Sequence, residues 1–151
     1  MREIKFRAKS RFNGTIGSGK VWVHSHFLNL KPDSLILGGR RCQLETLGQY
    51  TGLKDKNGEE IYEGDVIKVK YDTSVWGRKV KYDFIGSVCF GYFTSTEREG
   101  VYDDIEGWYL SILSEITNDF YSISLAEHNI EGEIIGNIHE NPELLEVKTE
   151  V

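Results

Sequence analysis

Residues 48–65 of this 151-residue chain read GQYTGLKDKNGEEIYEGD, and this stretch determines the predicted fold. It predicts a β-hairpin whose turn is centred on Asn57 and Gly58, because positive φ angles suit both residue types. Gly64 and Asp65 then reverse the chain into the apolar-alternating strand VIKVKY at residues 66–71. The stretch contains no nucleophile–base pair, metal-ligand spacing or phosphate loop, so it indicates an architecture and not a reaction.

Short extended segments continue on both sides of this hairpin. Residues 3–9 alternate between apolar and charged side chains, which predicts a half-buried strand. Its apolar face is Ile4, Phe6 and Ala8, and its outer basic face is Lys5, Arg7 and Lys9. We also expect extended structure at 21–27, 42–53, 86–94 and 133–138, with a Pro-Asp turn and Gly38-Gly39 punctuating residues 31–41, and a bulge or bend at Gly91.

Three segments are less regular. Residues 97–107 carry five acidic side chains, which predicts a solvated loop. Residues 108–116, WYLSILSEI, fit a strand with Trp108, Leu110 and Ile112 on one face, but they also fit a helix, and the strand is favoured. At residues 140–147, Asn141 can cap a short C-terminal helix that has Pro142 at its first position.

At least seven short extended segments separated by glycine turns predict a mainly β fold, β-rich α+β at most. Because EGDVIKVKY resembles the opening of many SH3-like barrels, we expect an SH3-like or open β-barrel. The chain is predicted to be a single domain, 1–151. It can be subdivided into an N-terminal β subdomain at 1–47 and a barrel-like part at 48–147.

The charge distribution is uneven. Residues 1–50 hold nine basic and three acidic side chains, or +6, whereas residues 51–151 hold nine basic and 21 acidic ones, or −12. This asymmetry fits either a nucleic-acid face beside an acidic part or two parts that dock on each other, and the second is favoured. No apolar run approaches the ~20 residues of a membrane helix, and the isolated Cys42 and Cys89 suit reduced thiols, so a cytosolic protein is expected.

Several motifs match a functional site only in part. Residues 14–20, GTIGSGK, follow the phosphate-loop pattern, but Val21 replaces the required Ser or Thr and no helix begins there. His24 and His26 share a strand face without an evident third metal ligand. Asp55 to Glu60 matches half of a calcium loop and lacks the distal glutamate. The sequence therefore predicts no metal, no cofactor and no enzymatic activity.

The segments MREIKFRA (1–8), QYTGLKDKNGEEIYEGDVIKV (49–69) and EIIGNIHENPELL (133–145) resemble, in order and spacing, the YopX family of small bacteriophage and prophage proteins. The resemblance implies a mainly β protein of the host bacterial cytoplasm, with no known activity. Gly48 departs from it, standing where relatives usually carry methionine. Segments 13–40 and 72–107 are expected to vary between members and to select the partner.

Two function hypotheses follow. The first is a non-enzymatic module that binds a host or phage protein through an exposed polar-aromatic patch of Gln49, Tyr50, Asp55, Lys56 and Tyr62. The second is a nucleic-acid-associated factor of early phage replication or transcription that uses the basic stripe of Lys5, Arg7 and Lys9. The glycines and apolar residues of the same central segment also have a purely structural interpretation as turn and core. Oligomeric state is not predicted.

Overall fold

The computed structural model describes residues 3–11, 21–95, 103–113, 120–125 and 132–146. Within them the chain is mostly β-strand, with no α-helix, which confirms the predicted mainly β class. The strands are β1 (Phe6–Lys9), β2 (Trp22–Ser25), β3 (Leu28–Lys31), β4 (Ser34–Leu37), β5 (Arg40–Cys42), β6 (Gly48–Lys54), β7 (Glu60–Tyr62), β8 (Asp65–Val75), β9 (Arg78–Ser95), β10 (Asp103–Leu113), β11 (Phe120–Ser124) and β12 (Gly132–Asn137).

The chain forms two compact units. Unit 1 comprises Met1–Leu53 and Glu60–Tyr62, and unit 2 comprises Lys54–Glu59 and Glu63–Val151. Unit 1 thus extends past the predicted boundary at residue 47 and takes in β7, whereas the tip of the β6–β7 hairpin groups with unit 2.

Unit 1 contains two antiparallel sheets, in the orders β2-β1-β6-β7 and β3-β4-β5. Alternation along β1 places Ala8, which has no exposed surface, in an apolar cluster with Leu35, Leu37 and Cys42. Phe6, Val23, Leu28 and Leu47 pack around that cluster. The short hairpins β3–β4 and β4–β5 turn at Pro32-Asp33 and at Gly38-Gly39, as the sequence predicts.

Two local predictions for unit 1 are wrong. Ile4 precedes β1 and is 60% exposed, so it does not belong to the core face. Leu44–Thr46 is a 3-10 helix and not extended chain. The hydroxyl of Thr46 explains the turn, because it donates to the Gln43 carbonyl at 2.7 Å and accepts the Lys9 backbone N–H at 2.8 Å.

Unit 2 contains one antiparallel sheet with the order β11-β10-β9-β8-β12. Its buried apolar side chains include Val66, Ile67, Val88, Leu110 and Ile112. The sheet is open in the described residues, with β11 and β12 at its edges, and it does not close into a barrel. The SH3-like arrangement stays a prediction.

Strand β10 resolves the ambiguous segment. It runs from Asp103 to Leu113, so the described residues 108–113 are strand, with Trp108, Leu110 and Ile112 buried as the strand pattern requires. The predicted acidic loop is wrong for residues 103–107, because their backbone pairs with β9 throughout. Residues 97–102 and 114–116 of these predictions lie outside the described part of the chain.

Gly86 and Gly91 leave β9 uninterrupted, and Gly86 also allows close approach of β10. A Cβ atom added at Gly86 would lie 2.8 Å from Ile112 Cγ1 and 2.9 Å from the Ser111 carbonyl oxygen. Gly91 faces Gly107 in an unbroken register, so the predicted bulge is absent there. Gly91 has φ 152°, and a Cβ at either member of this pair would meet no atom within 4 Å.

The β8–β9 hairpin extends beyond its neighbours in the sheet. Strand β12 pairs with β8 only as far as Val69, and β10 pairs with β9 only as far as Gly86 among the described residues. Six further pairs, from Lys70–Asp83 to Val75–Arg78, form a two-stranded ribbon, which we call the arm. Trp76 and Gly77 close it with φ angles of 52° and 75°. A tight turn with two positive φ angles matches the twist of the strands it joins.

The end of the described chain is less helical than predicted. Pro142–Leu145 is a single 3-10 turn, and Asn141 makes no side-chain capping hydrogen bond. The Asn141 amide instead accepts the Asn137 N–H at 3.4 Å and donates to Glu143 at 3.4 Å. In the described residues 140–146, the predicted helix at 140–147 is therefore replaced by this single turn, and Val147 lies outside the described part of the chain.

Three remaining predictions concern single features. Cys42 and Cys89 are free thiols. No helix in the described ranges combines the length and apolar character of a membrane span. The glycine-rich turn at 13–19 and the phosphate-loop match at 14–20 lie outside the described residues.

Candidate functional site

The predicted polar-aromatic patch is mostly interior. Tyr50, Tyr62 and Asp55 are 5%, 2% and 7% exposed, so the prediction that they form an exposed patch is wrong for these three side chains. Gln49 is half-buried on β6, and Lys56 is exposed at the hairpin tip. Within unit 1, the rings of Tyr50 and Tyr62 pack 5.5 Å apart. The aromatic side chains that looked available to a partner therefore fill the protein's own interior.

Asp55 organises the hairpin tip in unit 2. Its Oδ1 accepts the backbone N–H groups of Asn57 and Glu59 at 2.8 and 3.0 Å, and its Oδ2 accepts that of Ile134 at 3.1 Å. Burial alone would raise the pKa of Asp55, but these donors outweigh it and the pKa is lowered. Gly58 has the expected positive φ of 84°, whereas Asn57 does not adopt one. Both oxygens of this carboxylate accept backbone hydrogen bonds. The residues that match half of a calcium loop therefore have a structural role in the turn.

Lys56, next to Asp55, continues the contact with β12. Its backbone N–H donates to the Gly132 carbonyl at 3.0 Å, and its ammonium pairs with Glu133 at 2.7 Å. Both charged side chains are nearly half exposed, so water screens the ion pair and it contributes little to stability. Lys56 and Asp55 therefore hold the hairpin tip on the last strand, and this gives the central sequence segment a structural role.

The predicted basic stripe shares one face of unit 1 but does not present free cations. Lys5 Nζ contacts both carboxylate oxygens of Glu60, at 2.8 and 3.0 Å, and the hydroxyl of Tyr62 donates to the same carboxylate at 2.7 Å. The Glu60 hydrogen bond raises the pKa of Lys5. Burial first, and then that hydrogen bond, raise the pKa of Tyr62. Lys5 is thus already paired with an acidic residue.

Arg7 lies between aromatic rings. Its guanidinium carbon is 4.6 Å from the ring centre of Trp22 and 4.9 Å from that of Tyr62, and the residue is only 9% exposed. Lys9 lies 5.5 Å from the Trp22 ring. Such cation–π contacts stabilise a partly buried cation. The idea of an outward stripe for phosphate contacts is therefore wrong for Arg7, and Lys5 and Lys9 are only half-buried within the same cluster.

The two strand histidines do not converge on a metal. His24 packs edge-on to Tyr62 at 5.3 Å, and His26 pairs with Glu3 at 2.7 Å. Partial burial, followed by the charges of Arg7 and Lys5, lowers the pKa of His24. Among the described residues, no group of three or more His, Cys, Asp or Glu side chains could hold a metal ion.

An exposed aromatic surface lies on unit 2 instead. Phe90 and Tyr92 alternate along β9 and are 50% and 75% exposed. Across the sheet, Phe90 pairs with Trp108 and Tyr92 with the exposed Glu106. Phe90 contacts the 8% exposed Trp108 edge-on at 5.0 Å. The apolar face of the sheet thus continues from its core into solvent, and we call Phe90, Tyr92, Trp108 and Glu106 the β9–β10 surface.

Sequence reasoning missed this surface because GSVCFGYFT is apolar on both strand faces. Period-2 alternation cannot tell which end of an apolar face is covered. One sequence signal could have indicated this surface. Phe90 and Tyr92 lie two residues apart on one strand face, and Glu106 lies opposite Tyr92 on the next strand. A carboxylate that faces an aromatic ring is unusual in a closed core, so this pairing indicates an exposed face. Trp76, in the arm, was missed because nothing in its local sequence resembles a turn except the following Gly77.

The comparison with known protein families identifies the chain. A family model described as YopX protein matches residues 4–146. No curated protein matches the chain. Since the match covers nearly the whole sequence, the chain belongs to the YopX family, as the sequence resemblance indicates.

Proposed function

We propose that this YopX family member is a non-enzymatic phage or prophage accessory protein of the host bacterial cytoplasm, and that it binds a host or phage protein. The observation that carries the proposal is the exposure of Phe90 and Tyr92 on a regular central strand. Aromatic side chains held on rigid strands lose little conformational entropy on binding, and they are enriched at protein interfaces.

The chemistry of the β9–β10 surface suggests what the partner offers. An apolar side chain can pack between Phe90 and Tyr92, and a cation beside it can pair with Glu106. A basic partner is also favoured by charge, because residues 51–151, which contain this surface, carry −12 within a chain of net charge −6. Both aromatics fall in segment 72–107, where family members are expected to differ.

The alternative of nucleic-acid binding through the N-terminal strand has less support. Of its three proposed contacts, Lys5 is paired with Glu60 and Arg7 is buried between two rings. Releasing either cation to a phosphate would cost the contacts that it now makes. We therefore place protein binding first.

The test compares partners captured by tagged wild-type protein and by a Tyr92→Ala variant from nuclease-treated lysate of the infected or lysogenic host. Tyr92 is 75% exposed, so its truncation leaves the sheet intact. Phe27→Ala is the matched control, because Phe27 is 81% exposed but belongs to unit 1. A partner retained by Phe27→Ala and lost by Tyr92→Ala supports the proposal.

Direct titration with the purified partner then measures the effect. We expect Tyr92→Ala to weaken binding by about 30-fold or more, the loss typical of an interface hot spot. Equal capture by wild type and Tyr92→Ala, or loss of every partner on nuclease treatment, would overturn the assignment of this surface.

A further inference from the structure

We propose that the tip of the arm is a nucleic-acid-binding site, at which an unpaired base stacks on Trp76 while Arg78 and Lys79 contact the phosphates beside it. This site is separate from the β9–β10 surface and does not depend on the function proposed above. It also uses none of the residues of the N-terminal strand. Four observations on unit 2 carry it.

The first observation is the arm itself. Its six residue pairs extend past β10 and β12 in the described part of the sheet. At ~3.4 Å per residue they span roughly 20 Å. An isolated two-stranded ribbon adds little stability of its own. Stability of the unit alone therefore does not explain the length of the arm, and a binding role would.

The second observation is the residue at the tip. Trp76 is 97% exposed and has a φ angle of 52° in a turn where Asn, Asp or Gly would be unstrained. A bulky residue with positive φ is a genuine outlier, and such strain concentrates at functional positions. An indole held in this way presents its flat faces to solvent, and a nucleic-acid base can stack on such a surface.

The third observation is the placement of charge around the ring. Arg78 and Lys79 directly follow the turn, and both are exposed. As neighbours on a strand they point to opposite faces of the arm. A strand of nucleic acid that crosses the tip would therefore meet a cation on each side of the stacked base.

The fourth observation is the local charge balance. Residues 66–85 carry five basic and two acidic side chains, or +3, within a part of the chain whose total is −12. At the base of the arm, Asp83 pairs with Lys68 at 3.7 Å. The tip lies about two Debye lengths of physiological salt from that ion pair, so Asp83 repels a phosphate at the tip only weakly.

Two other partners fit these observations less well. Electrostatic recruitment to anionic lipid typically uses clusters of 4–8 basic residues, whereas the five of residues 66–85 are spread along the length of the ribbon and only Arg78 and Lys79 directly follow the tip. An acidic protein could pair with the same cations, but among residues 76–79, the part of the tip whose side chains the structure describes, Trp76 is the one apolar side chain. A base with its flanking phosphates matches an exposed ring that is followed by two cations.

The experiment measures binding of the full-length protein to a fluorescently labelled single-stranded DNA 20-mer by anisotropy, at several salt concentrations. The variant Trp76→Asn removes the ring and keeps a favourable turn residue, so it separates binding from folding. We expect it to weaken binding roughly 5- to 150-fold, as loss of one stacked base does. Phe27→Ala, an exposed aromatic in unit 1, should bind like wild type.

The double variant Arg78→Gln and Lys79→Gln tests the phosphates. It should flatten the slope of log affinity against log salt by about 1.4, since each phosphate contact to a single strand contributes about 0.7. Fluorescence of Trp76 should be quenched by the single strand in wild type. Quenching should be absent in Trp76→Asn, which retains Trp22 and Trp108.

Three outcomes would overturn the proposal. The first is unchanged affinity in Trp76→Asn. The second is equal affinity for the duplex of the same sequence, which offers no unpaired base. The third is stronger Trp76-dependent binding to polyglutamate or to anionic phospholipid vesicles than to the DNA. Selective single-strand binding that depends on both Trp76 and the two cations would establish it.

Discussion

The Oδ2 atom of Asp55 accepts a 3.1 Å hydrogen bond from the backbone N–H of Ile134, a residue 79 positions further along the chain. This bond connects the hairpin tip to the last strand of unit 2. It gives a physical reason for the specificity of the KDKNG segment that first indicates the family. The aspartate is needed as an acceptor for three backbone donors, and the glycine that follows supplies the positive φ of the turn.

We expect Asp55→Ala to lower the free energy of unfolding by about 1.5–3 kcal/mol, because it removes the charged acceptor of three backbone N–H groups. Asp55→Asn should cost less, since its amide oxygen can still accept. Urea denaturation of the two variants measures the difference. Asp33→Ala is the control, because Asp33 lies in an exposed two-residue turn. A loss no larger than that of Asp33→Ala would contradict this role.

The same carboxylate predicts acid sensitivity. Its pKa is lowered in the folded state, so its contribution to stability is present above the ordinary value of 3.8 and is lost as the pH falls through the lower folded value. Wild type should therefore lose stability relative to Asp55→Asn below about pH 4. Urea midpoints of the two proteins, measured from pH 7 down to pH 2.5, should show the difference between wild type and Asp55→Asn becoming smaller. A difference that stays constant over this range would contradict the role of the Asp55 carboxylate.

We expect Tyr62 to contribute less to stability as the pH becomes alkaline, whereas Asp55 contributes less as the pH becomes acidic. Its pKa is raised above the ordinary value of 10.0, so the stability it contributes is complete below that value and declines as the pH rises above it. Tyr62→Phe removes the hydrogen bond to Glu60 and should cost about 1.5–3 kcal/mol at pH 7. The difference in the free energy of unfolding between wild type and Tyr62→Phe should become smaller between pH 10 and pH 11.5. The control Tyr92→Phe, which changes an exposed ring, should be as stable as wild type at pH 7 and at pH 11.5.

We expect one substitution at the tip of the arm to stabilise the protein, because Trp76 has a positive φ angle. Trp76→Asn should raise the free energy of unfolding by up to about 1 kcal/mol, because asparagine tolerates the left-handed region that costs other residues about 1–2 kcal/mol. Trp76→Ala removes the same exposed ring but keeps the strained backbone angle, so it should bring no gain. Thermal unfolding compares them, and equal midpoints for the two variants would exclude backbone strain at this residue.

Two glycines of the unit 2 sheet should differ in their tolerance of alanine, because only one of them is closely packed. Gly86→Ala should destabilise the protein by about 1–3 kcal/mol, because the new methyl group meets the Ser111 carbonyl at 2.9 Å and backbone cannot move aside cheaply. Gly107→Ala, in the same sheet, meets nothing within 4 Å and should be close to neutral. Equal effects in chemical denaturation would contradict the packing at Gly86.

Local turn chemistry explains which parts of the fold are predictable. Gly38-Gly39, Pro32-Asp33 and the Asn57-Gly58 turn act over two to four residues, so the hairpins follow from sequence alone. The strand interpretation of Trp108 to Leu113 succeeds for a similar reason, since period-2 alternation reports the face that is buried. The 3-10 helix at Leu44–Thr46 was missed because it depends on a hydrogen bond from the backbone of Lys9, 37 positions away from Thr46.

The candidate sites were harder to predict than the strands. Alternation places Lys5, Arg7 and Lys9 on one face, but it does not reveal that Trp22 and Tyr62 cover Arg7, because those rings come from other strands. Burial of Tyr50 and Tyr62 is likewise a tertiary effect. Polar tips on these side chains made them look like surface residues, whereas the protein uses them inside.

The order in which the chain visits its two units limits how they can be exchanged between related genes. Unit 1 contributes residues up to Leu53, the tip Lys54–Glu59 belongs to unit 2, Glu60–Tyr62 returns to unit 1, and the remainder is unit 2. One recombination breakpoint therefore cannot transfer either unit whole. A crossover after Leu53 would provide the first unit with a foreign β7, including the Glu60 that binds Lys5 and the Tyr62 that covers Arg7. Functional hybrids should retain residues 48–65 from the same parent as the N-terminal strands, so this segment is inherited together with them.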